Sequence, residues 1–312
     1  MSLRFSPLRR LLSSVFRSRR GGEDEAPRIQ GFDGFVALDA DGIGSRGRAP
    51  TADVRAPRHS LGIDGLGAVL SRVVADPVQL ELPNGETFER NVPVDAFEAS
   101  MGSRMVRVDV ESTDGARGQT RALVLKGDYR GPLFVCDIDD TLRATKVRAL
   151  ALGKTQPPIA GARELLSKVA ALGVPIVYLS VASDRLHLAN HDFLRQLPEG
   201  IYLDNPAFGL RNLTPRRATQ IRLQGDYKAK VIGELKEAFP NAQLFGLGDD
   251  HYGDANAYAQ EGVEAYIHHV RSGAVLPDGF EGTLIDAYSP SVIDRITSDL
   301  QRAIAAARSA GA

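Results

Sequence analysis

Positions 133–142, where an apolar run meets three carboxylates, constrain the fold of this chain most strongly. Residues 133–136 are apolar, Pro132 precedes them and Asp137 follows them. An apolar run of this kind is typical of a strand buried on both faces, as in a parallel sheet. Such a strand delivers Asp137 to the carboxyl edge of the sheet, where open α/β folds build their sites.

Three acids, Asp137, Asp139 and Asp140, follow the apolar run closely. Their charges repel one another, which is costly at a half-buried strand end unless a cation neutralises them. Hard oxygen ligands suit Mg²⁺, which also binds phosphate oxygens. We therefore expect Mg²⁺-dependent phosphoryl chemistry with Asp137 as the nucleophile.

The length and composition are those of a globular protein with two domains. The chain has 312 residues and a formal net charge of −1, so we expect no nucleic-acid partner. The single cysteine, Cys136, excludes an intramolecular disulfide and fits a reducing compartment, which predicts a cytoplasmic protein. No stretch reaches the roughly 18 apolar residues that a membrane span needs.

Residues 1–27 differ from the rest of the chain and are predicted to form a basic amphipathic tail and linker. Arginines alternate with apolar residues, and no acid occurs before Glu23. On a helix Phe5, Leu8 and Leu12 share a face, which is typical of segments that contact an anionic membrane surface. An import signal and a disordered solvated tail are the alternatives, and the sequence leaves all three open.

Residues 28–130 are predicted to form a small antiparallel β domain. Alternating segments flank the Asn-Gly pair at 84–85, which indicates a hairpin. Residues 106–110 also alternate and are expected to pair with residues 120–125. One helix is expected near residues 66–74.

From residue 131 to 312 the pattern changes to alternating strands and helices. This order predicts an α/β domain with a Rossmann-like parallel sheet and right-handed crossovers. Expected strands are 133–137, 174–180, 244–248 and 263–268, and expected helices are 162–172, 183–197, 226–239, one after Gly253 and one from Ser291.

Polar residues follow the later strands of this domain and are expected to converge on Asp137. Ser180 ends the second strand, and Asp249 and Asp254 follow the third. Lys228 lies in the first turn of the helix predicted between the second and third strands. Lys230 is the alternative candidate for the same role, but on a helix it faces a different side from Lys228. Because the carboxyl ends of parallel strands share one edge, these residues can meet although they are far apart in sequence.

Each residue type has a role in phosphoryl transfer. A carboxylate such as Asp137 can attack phosphorus, and Asp139 is placed to protonate the leaving alcohol and then to deprotonate water. Thr141 and Ser180 can donate hydrogen bonds to phosphoryl oxygens, and Lys228 can offset their charge. The expected Mg²⁺ ligands are the Asp137 carboxylate, the Asp139 backbone carbonyl, Asp249 and, directly or through water, Asp254.

These residues, in this order, resemble the four motifs of the haloacid dehalogenase (HAD) superfamily of aspartyl phosphotransferases. More narrowly, residues 130–270 resemble the catalytic domain of the actin-patch-protein type of phosphatidate phosphatase. The segments that carry this likeness are Asp137-Ile138-Asp139-Asp140-Thr141, Tyr178-Leu179-Ser180, Phe193-Leu194, Pro198-Glu199-Gly200, Phe239-Pro240 and Gly248-Asp249 with Asp254. The resemblance implies a HAD-like hydrolase of lipid metabolism that converts phosphatidate to diacylglycerol with Mg²⁺, through an aspartyl-phosphate.

Two alternatives stand beside this interpretation. The first is a phosphatase of the same chemistry that acts on a soluble phosphomonoester, such as a nucleotide or sugar phosphate, because loops rather than fold set substrate choice. The second is a non-catalytic module that binds phosphatidate. The basic residues that follow the nucleophile are interpreted either as a site for an anionic headgroup or as ordinary charged surface: Arg143, Lys146, Arg148 and Lys154.

Overall fold

The structure is a computed structural model, and it describes most of the chain from residue 28 onward. The described residues are 28–38, 44–48, 51–55, 66–67, 69–73, 78–81, 87–90, 103–111, 117–144, 156–181, 187–204, 217–250, 253–270, 276–278, 280 and 282–311. Residues 1–27, and with them the predicted tail and linker, lie outside this part.

Sixteen strands and five helices are seen among the described residues. The strands are β1 (Arg28–Phe32), β2 (Gly34–Leu38), β3 (Gly44–Arg48), β4 (Thr51–Arg55), β5 (Leu66–Gly67), β6 (Val69–Val73), β7 (Val78–Glu81), β8 (Thr87–Arg90), β9 (Ser103–Glu111), β10 (Arg117–Lys126), β11 (Pro132–Cys136), β12 (Ile176–Leu179), β13 (Ile201–Leu203), β14 (Gln243–Asp249), β15 (Glu264–His268) and β16 (Gly282–Ile285). The helices are α1 (Ala162–Ala171), α2 (His187–Leu194), α3 (Arg217–Ala238), α4 (Asp254–Gln260) and α5 (Pro290–Gly311).

A six-stranded parallel sheet forms the centre of the molecule, in the order β13-β12-β11-β14-β15-β16. From β11 the chain runs outward to β13, then returns to lay β14 on the other side of β11. The carboxyl ends of β11 and β14 therefore flank the point where the strand order reverses, which is where open α/β sheets place their sites. The predicted α/β class with a Rossmann-like parallel sheet is confirmed.

Alternate residues of β11 face two separate apolar layers, which explains why its sequence is apolar throughout. Phe134 and Cys136 belong to the layer that contains the apolar faces of α1 and α5. Leu133 and Val135 belong to the opposite layer, with the apolar face of α3. None of the helices in the described part of the chain has the length and apolar character of a bilayer span.

Three smaller sheets precede the parallel sheet. Two are antiparallel, in the orders β1-β4-β5 and β6-β7-β8, and the third has the order β3-β2-β10-β9. The expected hairpin is confirmed as β7 and β8, and the expected pairing of residues 106–110 with 120–125 is confirmed in β9 and β10. One pairing departs from the antiparallel pattern, because β2 runs parallel to β10.

The helix expected near residues 66–74 is wrong, because this segment forms β5 and β6. Leu66 and Gly67 pair with β4, and residues 69–73 pair with β7. Leucines and valines at helical spacing suggested a helix, but valine also suits a strand and Gly67 weakens a helix. Hydrogen bonding to the neighbouring strands makes this segment a pair of strands rather than a helix.

The third small sheet packs against α3, the helix that carries Lys228. Phe35 of β2 contacts Phe239 with ring centroids 6.0 Å apart, and both belong to the same apolar layer as Val135. Arg48 of β3 forms an ion pair with Glu234, with Nη2 and Oε2 2.6 Å apart, and donates to the Tyr227 hydroxyl at 3.3 Å. Residues before position 130 therefore share apolar contacts with residues after it. The predicted domain boundary at this position stays a prediction.

Candidate active site

The carboxyl ends of β11 and β14 bring two distant pairs of acids together. Asp137 follows β11 directly, and its backbone N–H donates to the Leu247 carbonyl of β14 at 2.8 Å. Asp249 ends β14, and Asp254 begins α4. The backbone N–H of Asp249 donates to Asp254 Oδ2 at 3.1 Å, which fixes the short turn between the strand and the helix.

Lys228 reaches into this acidic group from α3. Its Nζ lies 2.6 Å from Asp137 Oδ1 and also donates to Asp254 Oδ1, and its side chain is only 3% exposed. Lys230, by contrast, is 72% exposed and pairs with Glu234 on the same helix. The helix thus directs Lys228, and not Lys230, toward Asp137.

Three buried carboxylates at this point are arranged to hold a cation. Single ligand atoms of Asp137, Asp249 and Asp254 all lie within 4.8 Å of one another. With all three carboxyl groups ionised, they and the one ammonium group leave two negative charges in a buried site, which is the charge that a divalent cation neutralises. Oxygen donors of this kind suit Mg²⁺, so the residues present fit that ion. The expected ligation by the Asp139 carbonyl stays a prediction.

Burial and mutual repulsion set the electrostatics of the cluster. Burial, together with the charge of Asp254, raises the pKa of Asp137 to about 8, although Lys228 acts in the opposite direction. For Lys228 burial lowers the pKa, but the charges of Asp137 and Asp254 outweigh it and raise the pKa above its ordinary value. The ammonium group therefore stays charged, and an added cation would favour the ionised form of Asp137.

Thr141 and Ser180, the predicted donors to phosphoryl oxygens, are both buried at this edge. The Thr141 hydroxyl donates to Asp137 Oδ2 at 3.0 Å, so Asp137 is held on one oxygen by Lys228 and on the other by Thr141. Ser180 follows β12, and its backbone N–H donates to the Leu203 carbonyl of β13 at 2.9 Å. Their contact with a phosphoryl group stays a prediction.

The loop that follows Asp137 is held in one conformation from several sides. Asp140 has a left-handed backbone with φ of 62°, an arrangement that aspartate tolerates better than most residues. Its N–H donates to the Arg143 carbonyl at 2.8 Å, and its own carbonyl lies 3.0 Å from His268 Nδ1. The Tyr288 hydroxyl donates to the Thr141 carbonyl at 2.7 Å. Asp139 and Thr141 are therefore carried by a fixed turn.

Arg143 is the functional candidate whose role the sequence did not indicate. It is not ordinary charged surface, because its side chain is 1% exposed and forms an ion pair with Asp139. Its contact with an anionic headgroup stays a prediction. The four-residue spacing of Asp139 and Arg143 was the available signal. Lys146, Arg148 and Lys154 lie outside the described residues.

Gly248 is required by how closely Asp254 approaches β14. A Cβ atom at Gly248 would lie 2.5 Å from the Asp254 Cβ and 2.8 Å from its carboxyl carbon. Real atoms do not approach so closely, so any side chain at this position would displace Asp254. The glycine therefore serves the geometry of the acidic cluster.

The site contains a buried lysine among three carboxylates, and it lies where the strand order of the parallel sheet reverses. This arrangement supports phosphatase activity, which is the hydrolysis of phosphoric monoesters. Residues 133–272 match the family model described as phosphatidate phosphatase APP1, catalytic domain. This match confirms the resemblance seen in the motifs, and it spans every predicted site residue from Asp137 to Asp254. No curated protein matches the chain.

Solved structures give only a general likeness. The D,D-heptose 1,7-bisphosphate phosphatase from B. bronchiseptica, complexed with magnesium and phosphate, is 13% identical, with a TM-score of 0.38 over 54% of this chain and 99% of that chain. A protein assigned as a beta-phosphoglucomutase from Bacteroides vulgatus is 12% identical, with a TM-score of 0.36 over 55% of this chain and 90% of that one. Similarity this low carries no argument about substrate or mechanism.

Proposed function

We propose that this chain is a Mg²⁺-dependent phosphatidate phosphatase that works through an aspartyl-phosphate on Asp137. The observation that carries the proposal is the contact of Lys228 with both Asp137 and Asp254, inside a buried group of three carboxylates. The family match supports phosphatidate as the substrate, since the family bears that name.

In the first half of the proposed reaction, Asp137 attacks the phosphorus atom. A bond forms between its carboxylate oxygen and phosphorus, the phosphorus–oxygen bond to the diacylglycerol breaks, and Asp139 gives its proton to the leaving oxygen. Contacts from Lys228 and Thr141 hold the two oxygens of Asp137, so that the carboxylate is oriented before substrate arrives.

In the second half, water attacks the phosphorus of the aspartyl-phosphate. Asp139 takes a proton from this water, the bond between phosphorus and Asp137 breaks, and inorganic phosphate leaves. In both halves Lys228 offsets charge on the phosphoryl oxygens, and the Ser180 hydroxyl donates a hydrogen bond to them. A Mg²⁺ ion held by Asp137, Asp249 and Asp254 would supply further positive charge to the transferred group.

The test compares phosphate release from phosphatidate vesicles with release from a panel of soluble nucleotide and sugar phosphates. The proposal expects turnover of the vesicles that EDTA removes and Mg²⁺ restores. The Asp137→Asn variant should fold normally and show no turnover, and ordinary activity in that variant would refute the covalent mechanism. Preference for a soluble ester would overturn the lipid assignment alone. Vesicle binding without phosphate release would favour a binding module.

We also propose that the protein is cytoplasmic and that residues 1–27 contact anionic membranes peripherally. Six arginines before the first acid, Glu23, support this proposal, because basic amphipathic segments bind anionic lipid surfaces. Deleting residues 1–27 should weaken sedimentation with anionic vesicles and leave hydrolysis of a soluble ester unchanged. Equal sedimentation of both chains would refute the membrane contact.

A further inference from the structure

We infer that Arg143 is the positioning residue for Asp139, holding the carboxyl group in the direction that proton transfer to the leaving oxygen requires. This inference rests on the proposed function, in which Asp139 is the proton donor and acceptor. It concerns a residue that acts through another and does not itself touch the substrate.

The ion pair between the two residues has a defined direction. Arg143 donates from Nε at 3.0 Å and from Nη2 at 2.9 Å, and both bonds reach the same oxygen, Oδ1 of Asp139. Two donors on a rigid guanidinium plane that converge on one oxygen fix the position of that oxygen. Asp139 is 21% exposed, so the contact orients a carboxyl group that solvent and substrate can still reach.

Helix α2 fixes the guanidinium group in turn. Nη2 of Arg143 also donates to Asn190 Oδ1, and the guanidinium carbon lies 5.1 Å from the centre of the Phe193 ring. Asn190 uses its amide nitrogen to donate to the Tyr202 hydroxyl at 2.6 Å, which sets the orientation of its amide. A chain of contacts thus runs from β13 through α2 to Asp139.

Burial makes this arrangement unlike a surface ion pair. Arg143 and Asn190 are both buried, so water does not replace Asp139 as the hydrogen-bond partner of the guanidinium group. Surface pairs hold their partners weakly because water competes at both ends, whereas here the arginine end is buried and is held by a further hydrogen bond to Asn190. The backbone adds to this, since Asp140 and Arg143 close the turn between the two side chains.

The consequence for catalysis depends on the leaving group. An alkoxide is a poor leaving group and needs a proton as the ester bond breaks, whereas 4-nitrophenolate leaves without one. A misdirected Asp139 therefore slows the first half of the reaction for an alkyl ester far more than for a nitrophenyl ester. A general loss of structure would slow both to the same degree.

The test measures kcat/KM for dioctanoyl phosphatidate in micelles and for 4-nitrophenyl phosphate, because kcat/KM reports the steps up to departure of the leaving group. In Arg143→Met the loss should be at least about tenfold larger for the alkyl ester than for the aryl ester. Asp139→Asn should show the same pattern. Arg195→Met serves as the matched control, since Arg195 lies just beyond α2 and is 79% exposed; it should leave both values unchanged.

Arg143→Lys keeps the charge but offers no rigid pair of donors, so its losses should fall between those of wild type and Arg143→Met. If Arg143→Met does not fold, the inference is tested by Arg143→Lys, through the ratio of its loss in kcat/KM for the alkyl ester to its loss for the aryl ester. Equal losses for the two esters would overturn the inference and leave the proposed function standing, provided that Asp139→Asn shows unequal losses. A wild-type chain that hydrolyses neither ester overturns both.

Discussion

Asp33 Oδ2 accepts a hydrogen bond from the backbone N–H of Tyr202 at 2.9 Å, across 169 positions of sequence. Its other oxygen, Oδ1, accepts one from the backbone N–H of Arg121 at 2.8 Å. Tyr202 lies in β13, the outermost strand of the parallel sheet, where unpaired N–H groups would otherwise face outward. A single buried carboxylate therefore joins the N-terminal strands to the edge of the parallel sheet.

Replacing Asp33 with alanine should destabilise the protein strongly. Each buried N–H group left without an acceptor costs about 1–3 kcal/mol, and this change affects two of them. An asparagine at this position would keep one acceptor oxygen and present a donor to the other N–H, so Asp33→Asn should lie between wild type and Asp33→Ala. Urea unfolding measures the difference, and equal midpoints for all three chains would contradict the assigned role.

Replacing Lys228 with methionine should abolish turnover and lower the stability of the metal-free protein. Removing one partner from a buried charge cluster leaves the other charges uncompensated, at a cost of about 3–5 kcal/mol. Lys230→Met is the matched control, because Lys230 is exposed on the same helix two positions further on. Thermal unfolding in EDTA and phosphate release are the measurements. Comparable losses of activity and stability in the two variants would contradict a specific role for Lys228.

Added Mg²⁺ should offset part of the instability of the metal-free cluster, and Gly248→Ala should weaken this effect. The new methyl group would push Asp254 away from its position beside Asp249 and loosen the ligand set. Gly233→Ala is the control, since the nearest atom that a Cβ there would meet is Glu261 Oε2 at ordinary contact distance, 3.6 Å. That control should gain about 0.5–1 kcal/mol from helix propensity.

Isothermal titration of the metal-free chains with Mg²⁺ measures this prediction. Wild type and Gly233→Ala should bind with the same affinity, and Gly248→Ala should bind at least about tenfold more weakly, which corresponds to about 1.4 kcal/mol. Unchanged affinity in Gly248→Ala would show that Asp254 is not a ligand.

Cys136 should resist thiol reagents until the sheet opens. Its side chain is fully buried in β11, its Sγ lies 3.1 Å from the Asp137 carbonyl oxygen, and burial with the charge of Asp137 raises the pKa of the thiol well above its ordinary value. The thiolate is the reactive form, so both access and ionisation oppose reaction. Labelling with a thiol reagent should be negligible in buffer and reach one equivalent in urea. Rapid labelling of the folded chain would contradict the burial of β11.

The strands and helices of the parallel sheet could be predicted because their patterns depend on local sequence. An apolar run such as that before Asp137 needs two buried faces, and the alternation of strands and helices sets the order of crossovers. The short edge strands β13 and β16 were not predicted, because three or four residues carry no periodic pattern. Helix α3 begins at Arg217 rather than near Asp226. In the structure Gly225 lies inside the helix, close to the Gly253 carbonyl.

The candidate site likewise contains residues that the sequence could place and contacts that it could not. Asp137, Asp249 and Asp254 could be placed together because each follows a strand or begins a helix at one edge of the sheet. Lys228 was assigned to this group as well, although it lies inside α3 and not in a first turn. The contacts of Arg143 with Asn190 and of Asp33 with Tyr202 depend on how distant segments pack, and the charge of these residues does not distinguish them from surface groups. Burial of a charged residue is a property of the whole fold, and the sequence around it does not reveal it.

Two neighbouring residues of α3, Tyr227 and Lys228, make contacts in different directions. Tyr227 contacts Arg48 and donates to the Asp204 carbonyl, while Lys228 enters the acidic cluster. An expression fragment cut at residue 131 would strip away the contacts of Tyr227 and Glu234 with β3 and leave Phe239 without its aromatic neighbour. The smallest useful truncation for crystallisation or assay therefore begins before Arg28, even though the matched family region begins at Leu133.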